Sequence, residues 1–424
     1  MRSLWRKEWG PEIEAKFLER GIAFSDDSVW NTFYVRNKAE EGAILGVSRV
    51  DGEGRVHYGY VKVFGTHDDW VAARERYAPF HKGDRYAFAL PGSDSIYFHF
   101  PADRRVRALH HVTNPRRLKH YLHSHVPGFD ANSRRVRAGK TVLDLLRYKP
   151  ERRAVLRARI ALRDERSGAK EIVSHVVRVH ADRSGLNASR VLPTLAKAVS
   201  FRLPDTLHYD ADSRIAIHSW VEGKPVLDDW AAGGRVDLAL AAGRALREVH
   251  EASVPDTLPV RRSHDTDQRA RRVVRDLESF LPGIGKDVAA LLEGESRRPA
   301  EQCLVHGDFY YAQIVCRGES DIGVVDWDEC RFGYAVEDVA NFLAHLNYLE
   351  LESRIPGGFA RILEREFLEG YGTPPDGLAR ETALQLVLLA MRPIRSLATR
   401  WEGRSRAILR RAAHVLDDGR GIQA

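Results

Sequence analysis

The 424-residue chain is 43 % hydrophobic and 29 % charged, enough apolar material for two or three packed domains and too much for wholesale disorder. Its 66 Lys and Arg against 59 Asp and Glu leave a formal charge of +7 with both signs interleaved, which speaks against a nucleic-acid partner and suits a surface that meets a polyanionic nucleotide. Three cysteines without a CxxC pair argue against a disulfide framework or a zinc site and fit a reducing cytoplasm, and no stretch reads as a signal peptide or a membrane span.

Residues 1–25 read as a helical lead-in. A β-rich unit follows, with strands FYVRNK, AILGVSRV and VHYGYVKVF and a turn at Asp51-Gly52-Glu53-Gly54. DDWVAARERYAPF reads as a helix, and RYAFAL and SIYFHF as a strand pair joined by Pro91-Gly92-Ser93-Asp94. From Pro101 to His125 the chain is basic and rich in histidine. Arg104, Arg105 and Arg107 with Arg116, Arg117 and Lys119 are its basic residues; the histidines at 110, 111, 120, 123 and 125 fit no zinc spacing, and a solvated basic face is expected. VPGFDANSRR reads as a linker.

A second β-rich unit begins near Gly139, with strands DLLRYK, RAVLRARIALR and IVSHVVRVH, a helix over about 188–200, and strands TLHYD and RIAIHSWV. The two units share one order: hairpin, a strand ending in V-(K/R)-V, helix, strand pair. That order reads as a degenerate internal repeat. From Lys224 the pattern turns helical, interrupted by the short β region CLVHGDFYYAQIVCRGESDIGVVDWDECRFG, and closes with four further helices.

That β region carries the chemistry. Phosphoryl transfer needs hard oxygen ligands for Mg²⁺ and a carboxylate that orients the acceptor hydroxyl and takes its proton. Asp308 follows the apolar strand CLV, and Gly307 beside it permits tight backbone geometry. Gln313 offers an amide oxygen, Asp326 ends the strand IGVV, and Asp328 lies two residues on. If the two strands pair, Asp308, Gln313 and Asp326 converge. Taken singly, an Asp after a strand is more often a turn former or a cap; the ordered series is what chance rarely supplies.

His306-Gly307-Asp308…Gln313 followed by Asp326-Trp327-Asp328 resembles the motifs of the aminoglycoside phosphotransferase and choline kinase superfamily. LRYKPERRAVLR, IAIHSWVEGKPV and ALREVHEA resemble its first hairpin, its adenine-gripping hinge strand and the helix after the hinge. The resemblance implies an α+β, protein-kinase-like bilobal fold. A cap domain over 1–135 would precede a small lobe over 136–223 and a helical large lobe over 224–424. It also implies a phosphotransferase using ATP or GTP with Mg²⁺, acting on a hydroxyl of a small molecule such as a sugar or secondary metabolite. By the resemblance Asp308 is the catalytic base and Gln313 and Asp326 hold Mg²⁺, with Asp328 either a further ligand or a carboxylate supporting them. Asp338 bonds backbone around the catalytic loop, and His306 orients that loop. Most members have Asn where Gln313 stands; the maltokinase-like sugar kinases have Gln.

One departure concerns the phosphate-binding lysine of the third small-lobe strand. Arg178 stands in its place, and the next helix holds no acid. Lys149 and Arg153, in the hairpin over the nucleotide, offer alternative cations, while Trp220 and Glu222 lie on the hinge strand. Lys62 and Glu75 form a comparable pair in the first unit, but only the second unit's hinge strand leads into the C-terminal helices. Glu329, Arg392, Arg395 and Trp401 are the acceptor-site candidates, and the basic C-terminal segment disfavours a polycationic aminoglycoside. A kinase acting on a peptide or protein, and a nucleotide-binding scaffold without turnover, are the alternatives. The expected partners are therefore a nucleoside triphosphate and a small-molecule acceptor, with no nucleic acid and no membrane.

Overall fold

Near-continuous apolar runs build the first sheet, because successive side chains leave a strand on opposite faces and both faces are covered. Strands β1 (Asn31–Lys38), β2 (Gly42–Val50), β3 (Val56–Val63), β4 (Tyr86–Leu90) and β5 (Ser95–His99) pair antiparallel in the order β1-β2-β3-β5-β4. One face, with Val47, Val61 and Tyr97, packs on Trp9, Ile13 and Phe17 of the helix Trp9–Leu18. The other, with Ile44, Tyr60 and Phe98, belongs to a larger cluster. This computed structural model describes residues 8–25, 27–38, 41–77, 86–90, 92–130, 132–254, 265–293, 301–396 and 398–422. The start of the lead-in helix, Pro91 of the expected turn and the end of the helix read as DDWVAARERYAPF lie outside the described residues.

The second sheet holds β6 (Arg134–Val136), β7 (Val142–Lys149), β8 (Arg153–Asp164), β9 (Lys170–His180), β10 (Thr206–Asp210) and β11 (Ile215–Ser219). Its order is β10-β11-β9-β8-β6, with β7 also paired to β8. Read from β7, the order β7-β8-β9-β11-β10 repeats that of the first sheet, with a helix after the third strand in both. Leu156, Ile160 and Val177 enter the same cluster as Tyr60 and Phe98, so the two sheets share one hydrophobic core. The helix Pro115–His125 adds Leu118 and Leu122; Asn114 caps it by accepting from the Arg116 and Arg117 backbone N–H groups. The segment read as a linker is packed instead. Val126 and Phe129 are buried in this core, and Arg134–Val136 is a strand against β8.

By contact the chain divides into two units: Met1–Arg183 with Leu207–His218 and Arg395–Leu397, and Ser184–Thr206 with Ser219–Ile394 and Ala398–Ala424. The second unit is mostly helical. The helix Asp237–Glu251 buries Leu238, Ala242, Ala245, Leu246 and Val249, the stripe its periodicity predicts. It meets the helix Phe359–Tyr371 backbone to backbone: a Cβ on Gly243 would strike the Phe367 carbonyl, and one on Gly370 the Leu240 carbonyl. Only glycine at both positions permits that approach. Four short strands complete the unit, β12 (Lys224–Pro225), β13 (Cys303–Val305), β14 (Ile314–Arg317) and β15 (Asp321–Val324), with β16 (Arg331–Gly333) after them.

Candidate active site

The strands CLV and IGVV do not pair with each other. β13 pairs with β16, and β14 pairs with β15. β13 reaches past β14 and β15 to β16, while β14 and β15 close on each other as a hairpin. The loop after β13 is joined to the loop after β15 by hydrogen bonds rather than by a ladder. His306, fully buried, has Nε2 at 3.0 Å from the Val325 carbonyl, and the Asp308 backbone N–H approaches His306 Nδ1 at 3.3 Å. Both contacts fit one neutral tautomer, with Nε2–H donating and Nδ1 accepting. Burial lowers the imidazole pKa more than the nearby Asp338 charge raises it, which keeps the ring in that form. The Val325 backbone N–H also donates to the Gln313 carbonyl at 2.9 Å.

Asp338 holds the loop from the other side. Its carboxylate, 1 % exposed, accepts from the His306 N–H at 2.6 Å and the Gly307 N–H at 2.9 Å, as the sequence led us to expect of this residue. His250 Nε2 lies 3.4 Å from the same carboxylate, and His250 Nδ1 lies 2.9 Å from the Tyr371 hydroxyl. Burial alone would raise the Asp338 pKa, but its bond to His250 and the surrounding positive charge hold it below the usual carboxylate range. The glycine contact described above sets this tie, because His250 and Tyr371 sit on the two helices joined at Gly243 and Gly370. Gly307 has φ +83°, and a Cβ there would collide with the Glu329 carbonyl. Phe309 packs on Phe342, and Asn341 donates to the Phe309 carbonyl at 3.0 Å.

Four of the sequence-predicted residues therefore stand on two loops tied together. Asp308 is half-buried beside Gly307, and Gln313, 4 % exposed, closes the turn Tyr311–Gln313. Asp326 is half-buried with φ +66°, an uncommon conformation for a non-glycine residue, and Asp328 is buried two residues later. An amide oxygen and carboxylates are the hard donors that Mg²⁺ takes, so the residue types fit that ion. Among the described residues no three of His, Cys, Asp or Glu gather as one metal-binding group. Glu329 is exposed, and its carbonyl accepts from Arg331.

The remaining candidates are dispersed. Trp220 is half-buried and Glu222 exposed on the segment between β11 and β12, where the Glu222 carbonyl accepts from the Arg202 guanidinium. In the first unit, Lys149 lies opposite Arg153 and Val155 opposite Arg178. Alternation along β8 therefore puts Lys149, Arg153 and Arg178 on one face of that sheet. The β7–β8 turn beside them is clasped. Glu151, 2 % exposed with φ +58°, accepts from Arg104 at 2.7 and 2.9 Å and from Arg36 at 3.3 Å, and its N–H donates to Asp103 at 2.9 Å. The Lys62–Glu75 pair is not formed: Glu75 is exposed, and the Lys62 ammonium donates to the Glu41 carbonyl.

Of the acceptor candidates, Arg392 lies over the Tyr348 ring at 5.1 Å. The same helix carries His345, stacked on Tyr310 at 4.0 Å, two residues after Asp308. Burial, helped by Arg392, pushes His345 well below its ordinary pKa. Trp401 instead packs edge-on against Phe280, and Arg395 is exposed. The sequence reading missed His250, Tyr371 and the Tyr310–His345 stack. Only the placement of His250 on the motif-like helix ALREVHEA hinted at a role.

A model of the phosphotransferase enzyme family matches residues 149–380. No curated protein matches the chain by sequence. Among solved structures, the chain is similar to macrolide 2'-phosphotransferase MphH from Brachybacterium faecium at 18 % identity, over 65 % of this chain and 93 % of that one, with a TM-score of 0.43. It is similar to choline kinase from Cryptosporidium parvum at 10 % identity, over 71 % and 96 %, with a TM-score of 0.47. Spectinomycin phosphotransferase APH(9)-Ia, in complex with ADP and spectinomycin, matches at 13 % identity over 71 % and 97 %, with a TM-score of 0.45.

Proposed function

Because the chain belongs to the phosphotransferase enzyme family, whose aminoglycoside and choline kinase members share a protein-kinase-like fold, we propose that it moves the γ-phosphoryl group of ATP, or of GTP, onto a hydroxyl of a small molecule such as a sugar or secondary metabolite. The doubly clamped loop carries this reading: Asp338 grips the backbone of His306 and Gly307, and His306 ties that loop to Val325, the residue before Asp326. So rigid a mount suits a base and metal ligands that must not wander.

In this reading Asp308 orients the acceptor hydroxyl and takes its proton as the new O–P bond forms and the bond from Pγ to the leaving diphosphate breaks. Gln313, Asp326 and Asp328 would hold Mg²⁺, which when bound offsets the negative charge of the triphosphate. Lys149, Arg153 and Arg178, which share one sheet face, are the candidate phosphate-binding cations, and Trp220 and Glu222 the candidates for contact with the base. Arg392, with Tyr348 and His345, borders the acceptor; Glu329, Arg395 and Trp401 are weaker candidates. Residues 1–135 act as a cap on the small lobe. No helix among the described residues is long and apolar enough to cross a membrane, and a cytoplasmic location goes with the free cysteines.

The test is ADP release with Mg-ATP across a panel of sugars, amino alcohols and peptides. Asp308→Asn is expected to lower turnover by about 10²–10⁴-fold while nucleotide affinity persists. Undiminished turnover in that variant would remove Asp308 as the base. A second reading, a nucleotide-binding scaffold without turnover, is favoured by Arg178 in place of the lysine and by the helix Gly185–Leu195, which holds no acid. ATP binding without transfer to any panel member would select it.

A further inference from the structure

Of the arginines and histidines from Arg104 to His111, Arg105, Arg107 and His111 are exposed, as a solvated basic face requires, and all five line one hollow. They converge on a cavity of about 540 Å³ lying wholly within the first unit. Its walls come from that segment, from the end of β9 at His180 and Ala181, and from the β10–β11 turn at Asp212–Arg214. The basic lining includes Arg104, Arg105, Arg107, His110, His111 and Arg214, and the one lining acid is Asp212, which is exposed. Two of the guanidinium groups are anchored: Arg104 to Glu151, and Arg214 to the Ala181 carbonyl. Arg105 and Arg107 are exposed on the rim, and among the described residues neither side chain has a carboxylate partner. An adjoining cavity of about 290 Å³ shares Arg104, Arg107 and His110 and adds Arg76, Tyr77, Pro101 and one acid, Asp103, whose carboxylate is engaged by the Tyr148 hydroxyl and the Glu151 N–H.

Concentrating like charge around a concavity costs energy unless something of opposite sign enters, and a cleft with low-dielectric walls focuses the resulting potential. Guanidinium forks match the oxygens of a phosphate bidentately. The larger volume lies in the range of small-molecule sites, about 300–1,000 Å³. A nucleic acid would need cations in a stripe along its backbone, whereas here they ring one hollow and its neighbour.

We propose that this cavity binds a small phosphate-bearing anion, a phosphate monoester or a diphosphate, at a site built from none of the residues assigned to phosphoryl transfer. The phosphate sits against Arg105 and Arg107, with Arg104 and Arg214 behind. The remainder of a monoester extends toward Tyr77 and Pro101. The site does not depend on the chain being a kinase, and it stands or falls separately from the Asp308 reading.

Inorganic pyrophosphate with EDTA present is the probe, titrated calorimetrically into the full chain at low salt. One equivalent is expected to bind and to raise the melting temperature. Arg105→Gln with Arg107→Gln should weaken binding by about 100-fold, roughly tenfold for each charged contact removed. Asp326→Asn should leave the affinity within about twofold, since that residue is outside the cavity. If the double variant misfolds, Arg107→Gln alone must still weaken binding by about tenfold. Absence of binding to the unmodified chain overturns the proposal. So does an affinity indifferent to the two arginines but lost with Asp326→Asn, and so does a single-stranded oligonucleotide that binds more tightly and displaces pyrophosphate.

Discussion

Replacing Asp338 with Asn tests the clamp on which the site depends. The carboxylate accepts two backbone N–H groups at 2.6 and 2.9 Å and faces His250 at 3.4 Å, with 1 % exposure. Hydrogen bonds to a buried charge are worth about 1.5–3 kcal/mol each. Asparagine keeps one acceptor oxygen, turns an NH₂ toward a backbone N–H, and removes the charge that answers His250. The expected loss is about 3–5 kcal/mol, which at about 2–4 °C per kcal/mol lowers the melting temperature by about 10 °C. Turnover should fall further than stability explains, because a displacement of about 1 Å at a reacting group costs about 10²-fold. Calorimetry and ADP release measure the two effects, with the exposed Asp376→Asn as control. A melting temperature within about 2 °C of the unmodified protein would refute the clamp.

Gly307→Ala should cost about 1 kcal/mol for its positive φ, with more from the collision with the Glu329 carbonyl, and should lower kcat at least about tenfold; unchanged kcat would show that the loop has room. Glu151→Gln uncouples a buried carboxylate from Arg104 and Arg36 and should destabilise the chain by about 3 kcal/mol in denaturant titration, a loss under about 1 kcal/mol counting against the clasp. Stability should also decline in mild acid. Burial holds His306 and His345 below their ordinary pKa, so the unfolded chain takes up their protons first; their contribution is complete above the unfolded value of about 6.5 and falls as pH drops below it. Asp338, held low, keeps contributing until the pH falls through its own depressed value, below the usual carboxylate range. A flat stability profile from pH about 7 to 5 would contradict the neutral assignments.

The strands from Asn31 to Ser219 and the C-terminal helices were legible because burial writes a period of two or of 3.6 into the residues. The region 126–136 was not. Val126, Phe129 and Val136 are too few and too irregularly spaced to signal a packed segment, and Gly128, Asp130 and Asn132 read as a loop. In the site, Asp308, Gln313, Asp326 and Asp328 were legible through their order along the chain. Their support was not, because its partners are remote in sequence: His250 lies 88 residues from Asp338, and the Gly243–Gly370 contact that fixes it leaves no local pattern. Pairing of CLV with IGVV, the condition under which the sequence would bring these residues together, does not occur; hydrogen bonds through one buried imidazole join the two loops instead.

The two sheets share one strand order, and each carries a cation on its third strand, Lys62 on β3 and Arg178 on β9. What happens to Lys62 explains why an arginine suits the second position. Burial lowers the Lys62 pKa, the Glu151 charge opposes this, and the guanidinium groups of Arg104 and Arg36 push it down again. Arg178 is likewise buried, 9 % exposed, on a sheet face that also bears Lys149 and Arg153. A lysine there would meet the same desolvation, which lowers its pKa. A guanidinium, whose pKa exceeds about 12, stays protonated. Where the cation is this deeply buried, arginine is the residue that keeps its charge.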